Sequence, residues 1–573
     1  MTDISELIAS VYNRVYALVD HNIYNTLEKR YEFKKQIILA DKFLTKNEKS
    51  VLICLLNIKF DNDKVLFNRG TKRICENCNQ ECLAKSYCEY CIRNHLKKNF
   101  SNWASGNTNI DDLIQNCQID SYAPYNIVEW ISYDNLQNIK YLTEGGYSEI
   151  YTANWIDGAY HDWDNKKQRL KRYGMLKVIL KKLENVESAN RSWFDECKSH
   201  LSITNKWSSI VQCYGLTKDP SNGNYMLVMK KMDMDLRKYL QQNYNQLTWK
   251  ERIKIISNII DALYRIHNEN AIHRDLHSGN ILLSTEIRAF YISDLGFCGP
   301  ANKPLNGIYG NLPYIAPEVI ANKETTFASD IYSIAMLMWE ISSGQPPFIN
   351  YEHDCDLALR IINGMRPKII PRTPYEYRIL MEQCWDADPV KRPKIDYLLN
   401  EIEKMKRLYH QNENDEQQIN NEVCITNYYT DSSSVNSLVE SLSKVHIFEN
   451  LPVPRNASAE EQKEYQSIQH NLSIPSEIED FVFKRTEHQI GQYDLTIIKP
   501  DNSKSKRIYF DADEKKEDII KSKKIKLSEN KGKFQYSQMN YVTNNNVMED
   551  DDISNNPNFH SEDQEELEIP EDI

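Results

Sequence analysis

Apolar residues recur at Leu7, Val11, Tyr12, Val15 and Leu18, and again around Ile37, Ile38 and Phe43, a helical spacing that predicts two or three short helices within residues 1–70. Such stripes ordinarily serve packing or self-association. Ile110, Leu113, Ile114 and Cys117 repeat the helical period inside an otherwise polar connector, 101–135. From residue 136 the pattern changes. Ile139–Leu142, Val178–Lys181, Tyr225–Met229 and Phe290–Ile292 read as strands, whereas Ile256, Ile259, Ile260, Leu263 and Ile266 lie on one helix face. Strands thus come early and helices late in this stretch. Beyond 409, Asn, Ser, Glu, Asp and Lys dominate without a sustained apolar period, which predicts a mostly disordered polar tail, 409–573.

Composition narrows the class. A net charge of −12 over 573 residues argues against a chain-wide nucleic-acid footprint. The tightest apolar cluster, Val51–Leu56, is far too short to span a bilayer, and the N-terminus lacks a basic-plus-apolar signal. A cytoplasmic setting is expected, and the 13 cysteines are then thiols or metal ligands. Lys504–Arg507 and Lys521–Lys526 are either a two-part nuclear-import signal or solvated charge, and the acidic stretches 549–552 and 562–572 are a solvating or interaction tail.

Within 71–100, Cys75-x-x-Cys78 and Cys88-x-x-Cys91 stand nine residues apart. Each pair can present two thiolates to one tetrahedral Zn²⁺. With all four positions filled by protein the site is structural, a zinc ribbon whose metal supplies the folding energy. Cys82 and His95 are alternative ligands, and free thiols are the competing reading. The ribbon is expected to have a core separate from the domain that follows.

The chemistry concentrates later. Asp275 and Asn280, in His273-Arg274-Asp275-Leu276-His277-Ser278-Gly279-Asn280, put a carboxylate and an amide five residues apart on one loop. A polar loop of this kind can simply cap turns. Fourteen residues on comes Asp294-Leu295-Gly296, and then Ala316-Pro317-Glu318. In this order the three segments resemble the catalytic loop, the metal-binding segment and the APE segment of eukaryotic protein kinases. The resemblance covers 136–408 and implies a bilobal α+β fold, ATP and Mg²⁺. It implies Asp275 as catalytic base, Asn280 and Asp294 on Mg²⁺, and Lys181 on phosphate with Glu196 fixing it. Lys177 is the rival to Lys181. Gly145, Ile150, Ile179, Lys181, Met229 and Leu282 are implied around the nucleotide, Met229 as gatekeeper. Asp330 resembles the aspartate that anchors the catalytic loop, and Arg392 resembles the partner of Glu318.

The likeness is nearest to the tyrosine-kinase-like branch, in the form of the large fungal expansions with a cysteine ribbon ahead of the catalytic domain. It implies phosphotransfer to protein Ser/Thr hydroxyls in intracellular signalling. Partners are implied at the N-terminal module and the tail. Departures from the family are Thr143 and Ser148 for the outer loop glycines, Ile179 for Ala, His277 for Lys, and Asn311 for Thr. The first four, Thr143, Ser148, Ile179 and His277, keep a second class open, a pseudokinase scaffold. Residues 297–316 hold neither Ser nor Thr, so phosphorylation there falls to Tyr309 or Tyr314, with Tyr309 expected to be the accessible one. Control through Glu196's helix or through residues 1–135 is expected instead.

Overall fold

The structure, a computed structural model, describes residues 2–20, 23–145, 148–184, 193–299, 308–411, 443–446, 448 and 451–468. The basic clusters at 504–507 and 521–526 and the acidic end lie outside the described residues.

Helices α1 (Thr2–Ala17), α2 (Leu27–Ala40) and α3 (Lys46–Leu66) form the expected N-terminal segment. Val11, Val15, Ile38, Leu52 and Leu56 meet in one buried cluster, so the stripe is a packing face. Phe43, grouped with the second run, is instead 84% exposed. The start of α3 is fixed by a capping box, in which Thr45 and Glu48 satisfy each other's backbone N–H groups. Strands β1 (Arg73–Ile74) and β2 (Glu81–Cys82) with helix α4 (Glu89–Lys98) make the cysteine module, and α5 (Thr108–Ile119) and β3 (Glu129–Trp130) follow.

The smaller lobe comprises β4 (Leu136–Gly145), β5 (Ser148–Trp155), β6 (Tyr160–Asp164), β7 (Arg169–Arg172), β8 (Leu176–Lys182), α6 (Trp193–Ile203), β9 (Cys213–Lys218) and β10 (Tyr225–Lys230). Its sheet runs β3-β9-β10-β8-β5-β4, and β6–β7 is a separate hairpin. Period-two alternation in β8 buries Val178 and Leu180 on one face and turns Ile179 and Lys181 to the other. Because β3 pairs with β9 and α5 packs Ile110 and Ile114 against Cys197 and Leu201 of α6, the connector is an integral wall of this lobe, not a polar spacer.

The larger lobe contains β11 (Met234–Asp235), α7 (Leu236–Asn243), α8 (Trp249–Asn268), β12 (Ile281–Ser284), β13 (Ala289–Ile292), β14 (Ile308–Gly310), α9 (Pro317–Ile320), α10 (Phe327–Ser343), α11 (Cys355–Ile362), α12 (Tyr375–Cys384) and α13 (Ile395–Gln411). The predicted stripe of α8 is buried throughout: Ile256, Ile260, Leu263 and Ile266 are fully enclosed. Helix α10 is buried from Ser329 to Ser343 and ends at Gly344, whose φ of 73° is the left-handed cap that glycine adopts without cost. Arg392 pairs with Glu318 through two hydrogen bonds of 2.7 and 2.6 Å, both side chains almost fully buried. Arg392→Ala would leave Glu318 charged and unpartnered in the core. It should therefore lower unfolding free energy by about 3–5 kcal/mol, read from a shift in urea midpoint at constant slope.

Within the polar tail, the described residues 443–446 and 451–468 dock on the larger lobe. Strand β15 (Lys444–His446) pairs antiparallel with β14, and α14 (Ala459–Ile468) follows it along the larger lobe. Phe448, Leu451 and Tyr465 pack against that lobe's core.

Candidate active site

Lys181 stands on β8 between Ile150 of β5 and Leu227 of β10. Its Nζ lies 2.8 Å from Glu196 Oε1 and 2.6 Å from Asp294 Oδ1. Lys177, the rival, is exposed and paired with Asn154 at the far end of the strand, away from Glu196 and Asp294. Glu196 projects from α6, the helix that α5 buttresses, and is 3% exposed. A lysine this enclosed keeps its charge only beside carboxylates, and here two supply it.

Asp294 follows β13 with φ 52°, in the left-handed region that Asp tolerates because its carboxylate can accept from nearby backbone. It accepts from Gly296 N–H at 3.0 Å. Leu295, next to it, is fully buried and holds the turn in place. Ile179, Met229 and Leu282 fall in one apolar cluster, presented by β8, β10 and β12, whereas Ile150 is half-buried on β5. Gly145 ends β4 opposite Ser148, and Thr143 faces Ile150, so the altered loop still forms a strand pair up to residues 146–147, which lie outside the described residues.

Asp275 is 6% exposed, on the loop between α8 and β12. Asn280 donates from Nδ2 to the Asp275 carbonyl at 2.9 Å, which holds the two ends of the loop together. The loop's other support is Asp330 of α10, whose carboxylate accepts from His273 N–H at 2.8 Å and Arg274 N–H at 3.0 Å. His267 Nε2 donates to it at 2.9 Å. Burial alone would raise the Asp330 pKa, but these donors outweigh it and hold the carboxyl below its usual value. Arg274 reaches the Phe297 carbonyl at 3.1 Å and Thr325 Oγ1 at 3.2 Å, so it ties the loop to the segment after Asp294. His277 accepts from Gly279 N–H through Nδ1 at 3.2 Å, which places its proton on Nε2, 3.7 Å from Asp275 Oδ1.

Neither activation-segment tyrosine is accessible. Tyr309 is 8% exposed and stacks on Phe297, with ring centroids 3.4 Å apart, which corrects the expectation made for it. Tyr314 is buried with its hydroxyl donating to Glu340.

The sulfurs of Cys75, Cys78, Cys88 and Cys91 all lie within 4.8 Å of one another. Cys75–Cys91 is 3.7 Å and Cys78–Cys88 is 3.6 Å. A tetrahedron with Zn–S bonds of about 2.3 Å has edges of about 3.8 Å, so the four fit zinc. Cys82 is buried beside Cys88 and Glu89, outside this group of four, and His95 packs edge-on against Trp163. The module's core is not separate: Cys75, Cys88, Ile92 and Leu96 share one cluster with Tyr122, Ile127 and Trp163 of the smaller lobe.

Residues 136–402 match the sequence model of a family described as protein tyrosine and serine/threonine kinase. The chain contains a protein kinase domain. Outside that stretch the match does not extend. A dual serine/threonine and tyrosine protein kinase of Homo sapiens is 31% identical over 197 residues, 33% of this chain and 21% of that protein. The probable serine/threonine-protein kinase roco5 of Dictyostelium discoideum is 26% identical over 300 residues, 50% of this chain and 10% of that protein. The chain thus spans only a small part of the length of these relatives. No helix among the described residues is long and apolar enough to cross a membrane.

The loop carrying Asp275 and Asn280 and the segment carrying Asp294 were visible in the sequence as motifs. Residues missed were Ser443, argued below, and α5 as the support of Glu196's helix. Only the helical period of Ile110, Leu113 and Ile114 signalled the latter.

Proposed function

We propose that the chain is an ATP-dependent protein kinase that transfers the γ-phosphate to protein Ser/Thr hydroxyls in signalling. The observation that carries this reading is Lys181 held between Glu196 and Asp294, with Asp275 and Asn280 tied on the facing loop. Apolar Ile179, Met229 and Leu282, with Ile150 and Gly145, would line the place of the adenine. Lys181 holds the α/β-phosphates, and Glu196 keeps it aimed. Asp275 takes the proton of the acceptor hydroxyl as its oxygen attacks the γ-phosphorus. His277 Nε2–H stands where it can donate to that acceptor oxygen and keep it oriented. Asn280 and Asp294 offer a carboxamide and a carboxylate, the hard oxygen donors that Mg²⁺ takes. Bound there, Mg²⁺ supplies the charge that offsets the phosphate oxygens.

Placement in the tyrosine-kinase-like branch is supported by the dual serine/threonine and tyrosine kinase and roco5 relatives, while the fungal form rests on the sequence pattern of the four cysteines ahead of the domain. The four cysteines hold one structural Zn²⁺. A cytoplasmic setting, with nuclear import open, suits the free thiols. Protein substrates are the partners expected first, with others at the N-terminal module.

Acceptor class is tested with degenerate peptides carrying one Ser, Thr or Tyr. Transfer to Ser and Thr, with Tyr at least about tenfold slower, is expected. Equal or faster transfer to Tyr would move the chain to dual specificity. Lys181→Met should lower transfer to every peptide and weaken Mg-ATP binding, seen as a smaller thermal shift on adding Mg-ATP.

A further inference from the structure

We propose that Ser443 is the kinase domain's own phosphoacceptor, delivered in cis by the docked tail. This rests on the kinase reading above and extends it to a named modification site.

Ser443 Oγ–H donates to Asp275 Oδ1 at 2.8 Å, and His277 Nε2 lies 3.1 Å from Ser443 Oγ. With the His277 proton on Nε2, the three groups form one directed chain, His277 N–H to Ser443 O–H to Asp275 carboxylate. Such an arrangement is what a base requires of an acceptor: a hydroxyl within hydrogen-bond reach, its proton pointed at the carboxylate. Ser443 is 8% exposed, so the hydroxyl is enclosed at the site and not passing over its surface.

The backbone is seated as an added strand. Lys444 pairs with Gly310, Val445 with Tyr309 and His446 with Ile308, and His446 Nε2 donates to the Gly310 carbonyl at 3.1 Å. The burial of Tyr309 follows in part from this cover. Downstream residues anchor the strand. Asn322 Nδ2 donates to the Phe448 carbonyl at 3.2 Å, Arg455 N–H to the Ile362 carbonyl at 3.0 Å, and Gln462 Nε2 to the Arg366 carbonyl at 3.1 Å. Asn456 bridges Ala387 N–H at 2.9 Å and Asp386 at 3.0 Å. Gly364 lies so close to this run that a Cβ there would collide with the Ala457 backbone nitrogen. These contacts run from the acceptor to α14, all on its C-terminal side, and they fix Ser443 at an effective concentration on the order of millimolar.

The chemistry balances with a nucleoside triphosphate as co-reactant. The Ser443 oxygen forms a bond to the γ-phosphorus and gives its proton to Asp275. The bond from the γ-phosphorus to the bridging oxygen breaks, and the nucleoside diphosphate leaves with that electron pair. While docked, the segment also fills the place any other acceptor must take. The phosphorylated side chain would carry close to two negative charges against Asp275, which expels it.

The full chain, first treated with phosphatase, is mixed with Mg-ATP and a generic Ser peptide, and Ser443 occupancy is followed by mass spectrometry over a hundredfold range of protein concentration. Phosphate is expected on Ser443 with a rate constant independent of dilution. Ser443→Thr keeps it, and Ser443→Ala loses it. Leu451→Asp with Asn456→Ala, which release the anchor, should slow it at least about tenfold and make it concentration-dependent. Peptide phosphorylated while Ser443 stays unmodified would overturn the proposal and leave the kinase reading intact. A Ser443 rate proportional to protein concentration would overturn delivery in cis. Neither peptide nor Ser443 phosphorylated would remove the kinase reading and this proposal with it.

Discussion

Asp275→Asn should lower phosphotransfer by about 10²–10⁴-fold while leaving nucleotide affinity almost unchanged. The carboxylate lies 2.8 Å from the acceptor hydroxyl of Ser443 and is the nearest group able to take its proton. Asparagine matches the shape, and the backbone carbonyl of residue 275 still accepts from Asn280 Nδ2, so the loop should keep its form. What is lost is basicity at one atom. Loss of rate without loss of binding marks an interaction made in the transition state alone. Initial rates and equilibrium ATP titration on the same preparations separate the two. Full activity in the variant would be contrary to the role assigned to Asp275.

Removal of zinc should have a comparably large effect, and one that reaches the kinase domain. Structural zinc in small modules contributes on the order of 10–16 kcal/mol of apparent folding free energy. The cluster built on Cys75, Cys88, Ile92 and Leu96 also holds Tyr122, Ile127 and Trp163. Tyr122 in turn donates to the Lys206 carbonyl at 2.6 Å, at the foot of Glu196's helix. Stripping the metal therefore uncovers one wall of the smaller lobe. A zinc-selective chelator, with Mg²⁺ kept in excess, should lower the melting temperature and most of the phosphotransfer activity, and Cys91→Ser should do the same. Elemental analysis of the full chain should give one zinc. A chain that binds no zinc, or keeps its melting temperature and activity after chelation, would contradict this.

Much of the site was legible because phosphoryl transfer needs particular residue types at close sequence spacing. Asp275, Asn280 and Asp294 declare themselves within twenty residues. Lys181 and Glu196 were harder, since their meeting depends on β8 and α6 lying together, and the resemblance to the kinase pattern was what named them. The four cysteines were legible for the same reason, as two short knuckles. What composition could not show was where polar segments dock. β15 is held by backbone pairing over three residues, and a backbone ladder leaves no side-chain period to read. The helical period of Ile110 and Ile114 was visible, but not that both are fully buried against Glu196's helix. Tyr309 was taken as accessible because nothing local to it marks the strand that covers it or the Phe297 ring on which it stacks. The ribbon was given its own core because a span of its size carries few apolar residues, but the lobe beside it supplies the rest.

The decisive measurement is phosphotransfer by the full-length chain from Mg-ATP to protein Ser/Thr acceptors, its own Ser443 included, with nucleotide occupancy determined in the same tube. The arrangement of Lys181, Glu196, Asp275, Asn280 and Asp294 predicts bound nucleotide and stoichiometric formation of ADP and phosphoserine or phosphothreonine. Nucleotide bound to saturation with no phosphate on any acceptor would contradict it and leave a scaffold that holds ATP without using it.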